Sequence, residues 1–335
     1  MVFTTEFQSY TSNYAETDKK SHNLILFQTK NDQLNIFGSQ FNLLSDFPRN
    51  TYLCSNSNAD QFELTPYFGQ DVQIFNKLIY VSTLQDTLRM ISNGLITNHK
   101  KCAMTFIGSD LRGSSKVSYF FETTKKITLF SNLLGHQKHL NGNTISGSLN
   151  SLPLGSLKQN IIQSQISIEE SQFVFFNINA LKYSDAPGQI GSNPSGISSE
   201  EANQLAYLAG RSTKNKFFIF YGLEEIDKDQ DLLTHNLIAQ MSWYYLEGSK
   251  NPVIRPEQIQ NKQEYYIESS LYSDNLKYIK DLDTGLWFHK IPFELSSEYA
   301  DYQWILSNHQ EYIETSNEDI PYRLLEMYDN LKSTF

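Results

Sequence analysis

Three groups of side chains in this sequence have types and spacing that could do chemistry. Asp227, Asp229 and Asp231 alternate, the opening of an oxygen-ligand pattern for calcium. The glycine at the sixth position and the closing glutamate of such a loop are absent, so a solvated helix start is expected. His136-Gln137-Lys138-His139 places two imidazoles three residues apart, a spacing that could share one helical face and hold a metal. No carboxylate stands near them in sequence, and a polar loop is the expectation. Asp110 follows an apolar run and could act as a lone base, although an aspartate there commonly forms a turn or a cap. His235, at the start of a helical pattern, reads as structural.

The elements that must position such groups are legible from hydrophobic patterning. Cys102 to Ile107 is a continuous apolar run that ends in Gly108-Ser109-Asp110. That is the pattern of a buried parallel strand with a functional loop at its carboxyl end. Phe173 to Ile178 and Phe217 to Tyr221 read the same way. Between them, Ser198 and Glu201 form a Ser-x-x-Glu capping box that opens a helix predicted to run to about Gly210. A further helix is predicted from about Leu232, with Leu233, Leu237, Ile238, Met241 and Tyr245 at helical spacing. Strand, helix, strand, helix with continuous apolar strands means a parallel sheet covered on both faces.

Elsewhere the pattern is weaker. Residues before about Ser21 are polar and expected to be loosely held. Leu24 to Phe27 is a short apolar segment followed by the turn-like Lys30-Asn31-Asp32, and Tyr52 to Phe68 is mixed. Leu84 to Ile91 reads as an amphipathic helix stopped at Asn93-Gly94. Lys116 to Phe121 and Ile127 to Phe130 are strand-like. Asn141 to Ser156 is rich in Gly, Asn and Ser and reads as loop. In the tail, Glu264–Ser269, Leu276–Ile279 and Leu286–Ile291 are strand-like, and Ile320 to Leu331 reads as helix.

With 335 residues the chain can bury a sizeable core. A net charge of −10 argues against general nucleic-acid binding, which needs a basic stripe to neutralise phosphates. Cys54 and Cys102, the two cysteines, form neither a disulfide framework nor a Cys-x-x-Cys pair. No window approaches the ~18 apolar residues needed to cross a bilayer. The start, Met1-Val2-Phe3-Thr4-Thr5-Glu6, lacks the charged and apolar regions of a signal peptide. A cytoplasmic location is therefore expected, without membrane insertion.

Phe176-Asn177-Ile178-Asn179-Ala180-Leu181, followed by Asp185-Ala186-Pro187-Gly188, resembles the signature Ser-Phe-Asp-x-Asp-x-Leu-Asp-Pro-x-x-Ala-Pro-Gly of the ureohydrolases, the superfamily of arginase, agmatinase and formiminoglutamase. Asn193-Pro194-Ser195-Gly196 stands where that superfamily has a Pro-Gly-Gly turn before a capped helix. Phe217–Gly222, Glu224 or Glu225, and Thr234-His235-Asn236 resemble its next strand, glutamate and helix start. Tyr207-Leu208-Ala209-Gly210-Arg211-Ser212 and Leu237-Ile238-Ala239-Gln240-Met241-Ser242-Trp243-Tyr244 are closest to the formiminoglutamase-like branch of Bacteroidota. The resemblance is strong over roughly residues 172 to 250, extends to the end, and is weak before about residue 100.

The resemblance implies a three-layer α/β/α arginase-like fold with a parallel central sheet over residues 1–250. The pattern of the tail, 251–335, reads as an appended α+β extension packed on the main sheet, or as a continuation of the sheet's edge. The resemblance also implies two manganese ions held by carboxylates and imidazoles, sharing a hydroxide that attacks a guanidinium or amidine carbon. The sequence departs from that ligand set at each motif. Of the three ligand motifs the resemblance implies, Gly108-Ser109-Asp110-Leu111 resembles the Gly-Gly-Asp-His one with Leu111 in place of the histidine, and Asn177 and Asn179 replace the two aspartates of the Asp-x-Asp at the strand end. No Asp-x-His-x-x-x-Asp string lies between Arg112 and Leu140. An amide oxygen can bind a hard cation but brings no charge to compensate a pair of dications. Asp110 and Glu224 are the remaining candidate catalytic carboxylates. The expectation is a pseudoenzyme with a binding or assembly role, no cofactor, and a protein partner or a second copy of itself. The alternative is a divergent manganese-dependent hydrolase of a linear amidine or guanidino C–N bond, such as that of formiminoglutamate.

Overall fold

The structure, a computed structural model, describes residues 2–4, 23–27, 31–44, 51–55, 77–82, 101–108, 128–137, 149–191, 193–223, 226–269, 272 and 275–332. The chain divides into two compact units, Met1–Asn251 and Pro252–Phe335.

In the first unit the described elements run β1 (Val2–Thr4), β2 (Asn23–Phe27), α1 (Asn31–Asn42), β3 (Thr51–Ser55), β4 (Lys77–Val81), β5 (Cys102–Ile107), β6 (Thr128–His136) and β7 (Leu149–Pro153). They continue with α2 (Leu154–Gln159), α3 (Gln163–Glu169), β8 (Phe173–Asn177), α4 (Ser199–Arg211), β9 (Phe217–Tyr221) and α5 (Leu233–Gly248). The strands form one sheet in the order β1-β3-β2-β4-β9-β8-β5-β6-β7, and every pairing is parallel.

Every residue of β4, β5 and β8 is buried, which is why these strands are continuous apolar runs rather than alternating ones. Ile79, Val81, Ile107, Val174, Phe176, Phe218 and Phe220 join the core with residues of α1, α4 and α5. Their neighbours of opposite parity, among them Tyr80, Met104, Phe175 and Ile219, are buried as well. On that side Phe106 stacks on Phe175, with ring centroids 4.5 Å apart, and Phe173 on Phe217 at 4.7 Å. Both faces are covered, the condition of a three-layer α/β/α fold.

The strands and helices anticipated between Phe173 and Gly248 are all present, including the capping box, in which Ser198 and Glu201 satisfy each other's backbone N–H. Several weaker readings are corrected. Helix α1 begins at Asn31, within the anticipated turn, and buries Phe37 and Phe41. Strand β1 occupies Val2–Thr4 within the segment expected to be loose, and β3 opens the mixed stretch near Tyr52. The anticipated loop Asn141–Ser156 contains β7 and the start of α2. Edge strands are short and show little periodicity, so their pairing is decided by the neighbouring strand. Leu233 does not join the core and is exposed. The anticipated helix Leu84–Ile91 and strand Lys116–Phe121 lie outside the described residues. No described helix is long and apolar enough to cross a membrane.

The second unit is α+β. Strands β10 (Lys262–Ile267), β11 (Leu276–Asp281), β12 (Trp287–Lys290) and β13 (Trp304–Ser307) form an antiparallel sheet in that order. They are followed by α6 (His309–Ser316) and α7 (Tyr322–Lys332). β13 is an addition to the strands legible in the sequence. The unit is held by a buried polar network. Arg323 of α7 donates to the Glu311 carboxylate of α6 through Nε and Nη2, both at 2.7 Å, and Nη2 also donates to the Leu306 carbonyl. Ser307 Oγ donates to the same carboxylate at 2.7 Å. Burial pushes the Glu311 carboxyl up, but the Arg323 guanidinium and Ser307 outweigh it and hold it below the ordinary range. Arg323→Leu leaves a buried carboxylate without its cation. It is expected to destabilise this unit by roughly 3–5 kcal/mol, measured by urea denaturation followed through tryptophan fluorescence. A loss below about 1 kcal/mol would contradict the network's role.

Candidate functional site

In open parallel sheets ligands bind beyond the carboxyl ends of the strands, where neighbouring connections leave in opposite directions. Here that place is the end of β5, β8 and β9. β8 and β9 lie between β4 and β5, so the chain leaves β4 and re-enters the sheet three positions away, with room for two strands between.

β8 ends at Asn177, and a 3-10 turn covers Ile178–Ala180. The turn forms because the Asn177 side chain caps it: Oδ1 accepts from the Asn179 N–H at 2.9 Å. The Asn179 Oδ1 in turn accepts from the Ile190 N–H at 3.0 Å, tying the following loop back to the strand end. That loop returns through Ile197, whose N–H donates to the Ala180 carbonyl at 2.8 Å. The return passes so close that a Cβ at Gly196 would sit 2.5 Å from the Leu181 carbonyl carbon. β9 delivers Tyr221 and then Gly222 at φ +86°. A Cβ on Gly222 would lie 2.5 Å from Asn177 Oδ1 and 3.6 Å from Asn179 Nδ2, so glycine is required both by conformation and by space. From β5, Gly108 completes the crevice: a Cβ there would be 3.9 Å from both Asn177 Cβ and the Tyr221 hydroxyl.

The Asp185-Ala186-Pro187-Gly188 loop is a structural clamp beside this crevice. Asp185 Oδ2 accepts from the Ser199 N–H at the start of α4. The Gly188 N–H donates to Thr234 Oγ1 at 2.8 Å, on the first turn of α5. That turn is capped from a distance by Asp229, whose carboxylate accepts from the N–H groups of Thr234 and His235 and pairs with His235 Nδ1 at 2.5 Å. Burial pushes the Asp229 carboxyl up, but these hydrogen bonds hold it below the ordinary aspartate value. The expectation of a solvated aspartate run is therefore corrected at Asp229, which is buried. Two backbone N–H groups and an imidazole nitrogen, from Thr234 and His235 on the following helix, keep it inside. Asp227 and Asp231 are exposed as expected, and His235 is a buried partner of Asp229.

Of the sequence candidates, Asn177 and Asn179 come together. Asp110, Leu111, Glu224, Glu225 and His139 lie outside the described residues. His136 ends strand β6 rather than lying in a loop, because its neighbours Leu133 and Leu134 pair with β5. Among the described residues, no three His, Cys, Asp or Glu side chains come close enough to hold a metal ion. Tyr221 and Gly222 were not singled out in the sequence, although a glycine after a buried strand is a usable signal.

Set against solved structures, this architecture has clear counterparts. Formiminoglutamase of Trypanosoma cruzi, in a structure with Mn2+, matches with a TM-score of 0.56 over 74% of this chain and 99% of that one, at 13% identity. Formimidoylglutamase of Bacillus subtilis matches with a TM-score of 0.56 over 76% and 92%, at 11% identity. Proclavaminate amidinohydrolase of Streptomyces clavuligerus matches at 0.52 over 70% and 95%, at 12% identity. The fold is that of the ureohydrolases. No protein-family model matches the sequence, and no curated protein matches it. At these identities the likeness carries the arginase-like fold, and the chemistry must be argued from this chain's own residues.

Proposed function

We propose that this chain is a ureohydrolase-fold protein of the formiminoglutamase-like branch that has lost metal-dependent hydrolysis and serves in binding or assembly. The supporting observation is the state of two side chains. A pair of manganese ions in this fold would call for charged oxygens at positions 177 and 179. Asn177 and Asn179 offer neutral amide oxygens, and each already accepts a backbone N–H. These residues do not fit a dinuclear dication site, whose charge needs carboxylate compensation. Leu111 has no donor atom, and Asp110 and Glu224 are read as remnants without a catalytic role. A protein partner or a second copy of the chain, in the cytoplasm, fits this reading better than nucleic acid, given the net charge of −10.

Elemental analysis of the full chain after manganese supplementation, with ammonia and urea assays on formiminoglutamate, arginine and agmatine, tests the proposal. The expected result is substoichiometric metal and no product release. Stoichiometric manganese with turnover would overturn it in favour of a divergent hydrolase.

A further inference from the structure

A cluster of charged side chains lies at the amino ends of β8 and β9, the opposite end of these strands from the crevice. Helix α3 ends there in Glu169, followed by Glu170, with no basic residue in its last turn, although the carboxyl end of a helix disfavours negative charge. The two carboxyl groups, both 3% exposed, are treated unequally. Glu170 forms an ion pair with Lys214, from the segment that joins α4 to β9. Glu169 Oε1 accepts from Gln165 Nε2 at 3.0 Å, and Glu169 Oε2 is buried without a hydrogen-bond partner. The main chain at this residue is a joint. The Ser212 hydroxyl, at the end of α4, donates to the Glu169 carbonyl, and its oxygen accepts from the N–H groups of Lys214 and Asn215.

We propose that Glu169 is a proton-operated latch: with its carboxyl neutral the end of α3 stays closed on Ser212, and release of the proton to solvent opens that turn. A neutral carboxyl tolerates burial beside Gln165, whereas a carboxylate there leaves one charged oxygen without a donor. Burial pushes the Glu169 carboxyl up to about 7; the Arg211 guanidinium and the Gln165 amide pull it down, Glu170 raises it, and Lys214 lowers it. Arg211 of α4, Glu170 at the end of α3 and Lys214 of the segment before β9 are thus the charged groups that face it. In the opened turn the carboxyl meets water and titrates near its ordinary value of 4.5. Because the closed form has the higher value, its advantage is full below 4.5 and is lost as pH rises to about 7. The latch opens towards neutral pH. No property of the crevice enters, so the latch and the non-catalytic reading fail or hold separately.

Hydrogen exchange of the full chain from pH 5 to 8, read by mass spectrometry as protection factors with the intrinsic rate divided out, tests the latch. The expected result is protection over residues 163–172 and 212–216 that falls about tenfold per pH unit up to about pH 7 and then levels, while α1 shows no such fall. Glu169→Gln keeps the acceptor for Gln165 but has no proton to release, and is expected to abolish the slope. Arg211→Leu removes the cation that pulls the proton off and is expected to move the levelling point to higher pH. That second variant carries the test if Glu169→Gln does not fold. Protection flat with pH in the parent, a slope that survives Glu169→Gln, a slope shared equally by α1, or a levelling point unmoved in Arg211→Leu would each overturn the proposal.

Discussion

Gly210→Ala is expected to cost the first unit about 3 kcal/mol of stability or more, read as a fall in the urea midpoint without a change in slope. Gly210 lies on α4 where it crosses α5, and a Cβ there would fall 2.8 Å from the Tyr245 carbonyl carbon and closer still to its oxygen. A Cβ on Gly248, from the α5 side, would meet the Tyr207 carbonyl and come within 3.0 Å of the Arg211 nitrogen. Backbone meets backbone at this crossing, so no side chain can rotate away to make room, and one helix must move. Such a shift disturbs α5, which is buried on most of its circumference, and with it the Thr234 hydroxyl that pins the Gly188 loop. Gly155→Ala is the matched control. It lies in α2 with nothing within 4 Å of a new Cβ. It is expected to be neutral or to gain up to about 1 kcal/mol through helix propensity. Equal losses at the two positions would refute the close crossing.

The second large effect is acid sensitivity of the second unit. His289 is fully buried on β12, hydrogen-bonded through Nε2 to the Tyr328 hydroxyl, with its ring 4.4 Å from that of Tyr278. Burial pushes its pKa down to about 3; the Glu311 carboxylate raises it, and Arg323 lowers it further. In the unfolded chain the same imidazole titrates near its ordinary value of 6.5. Below that value the unfolded state takes up a proton that the folded state refuses. Stability contributed by neutral His289 is thus full above about pH 6.5 and is lost as pH falls towards 3. The loss is about tenfold in the folding constant per pH unit, on the order of 5 kcal/mol across the window. Glu311, held below its ordinary value, adds to the loss only below its unfolded value of 4.5. The slope between pH 6.5 and 4.5 therefore belongs to His289 within this network. Urea denaturation from pH 7.5 to 4.5, followed by the emission of Trp287 and Trp304, measures it. His289→Gln is expected to flatten that slope, and a variant slope equal to the parent's would exclude the assignment.

The legibility of the chain followed burial. Cys102–Ile107, Phe173–Asn177 and Phe217–Tyr221 were readable because strands covered on both faces admit only apolar residues, so the run itself carries the message. The Ser198–Glu201 capping box was readable because all its partners lie within three residues. β7 and β13 were not, since a short strand is created by its neighbour rather than by its own pattern. Asp229 looked like one of three solvated aspartates, because the N–H groups that draw it inside arrive only when α5 begins behind it.

By itself the sequence determined the layered parallel sheet, its principal helices and the chemical character of two decisive positions, because residue type alone sets whether a side chain brings charge. It did not determine which backbone groups those two amides would hold. That was decided by the tertiary structure, where a turn following β8 and a loop returning from Ile190 aim backbone N–H groups at the asparagine oxygens. An asparagine carries an acceptor and a donor on one planar group, so only its neighbours in the fold can choose which of the two is taken up inside the protein.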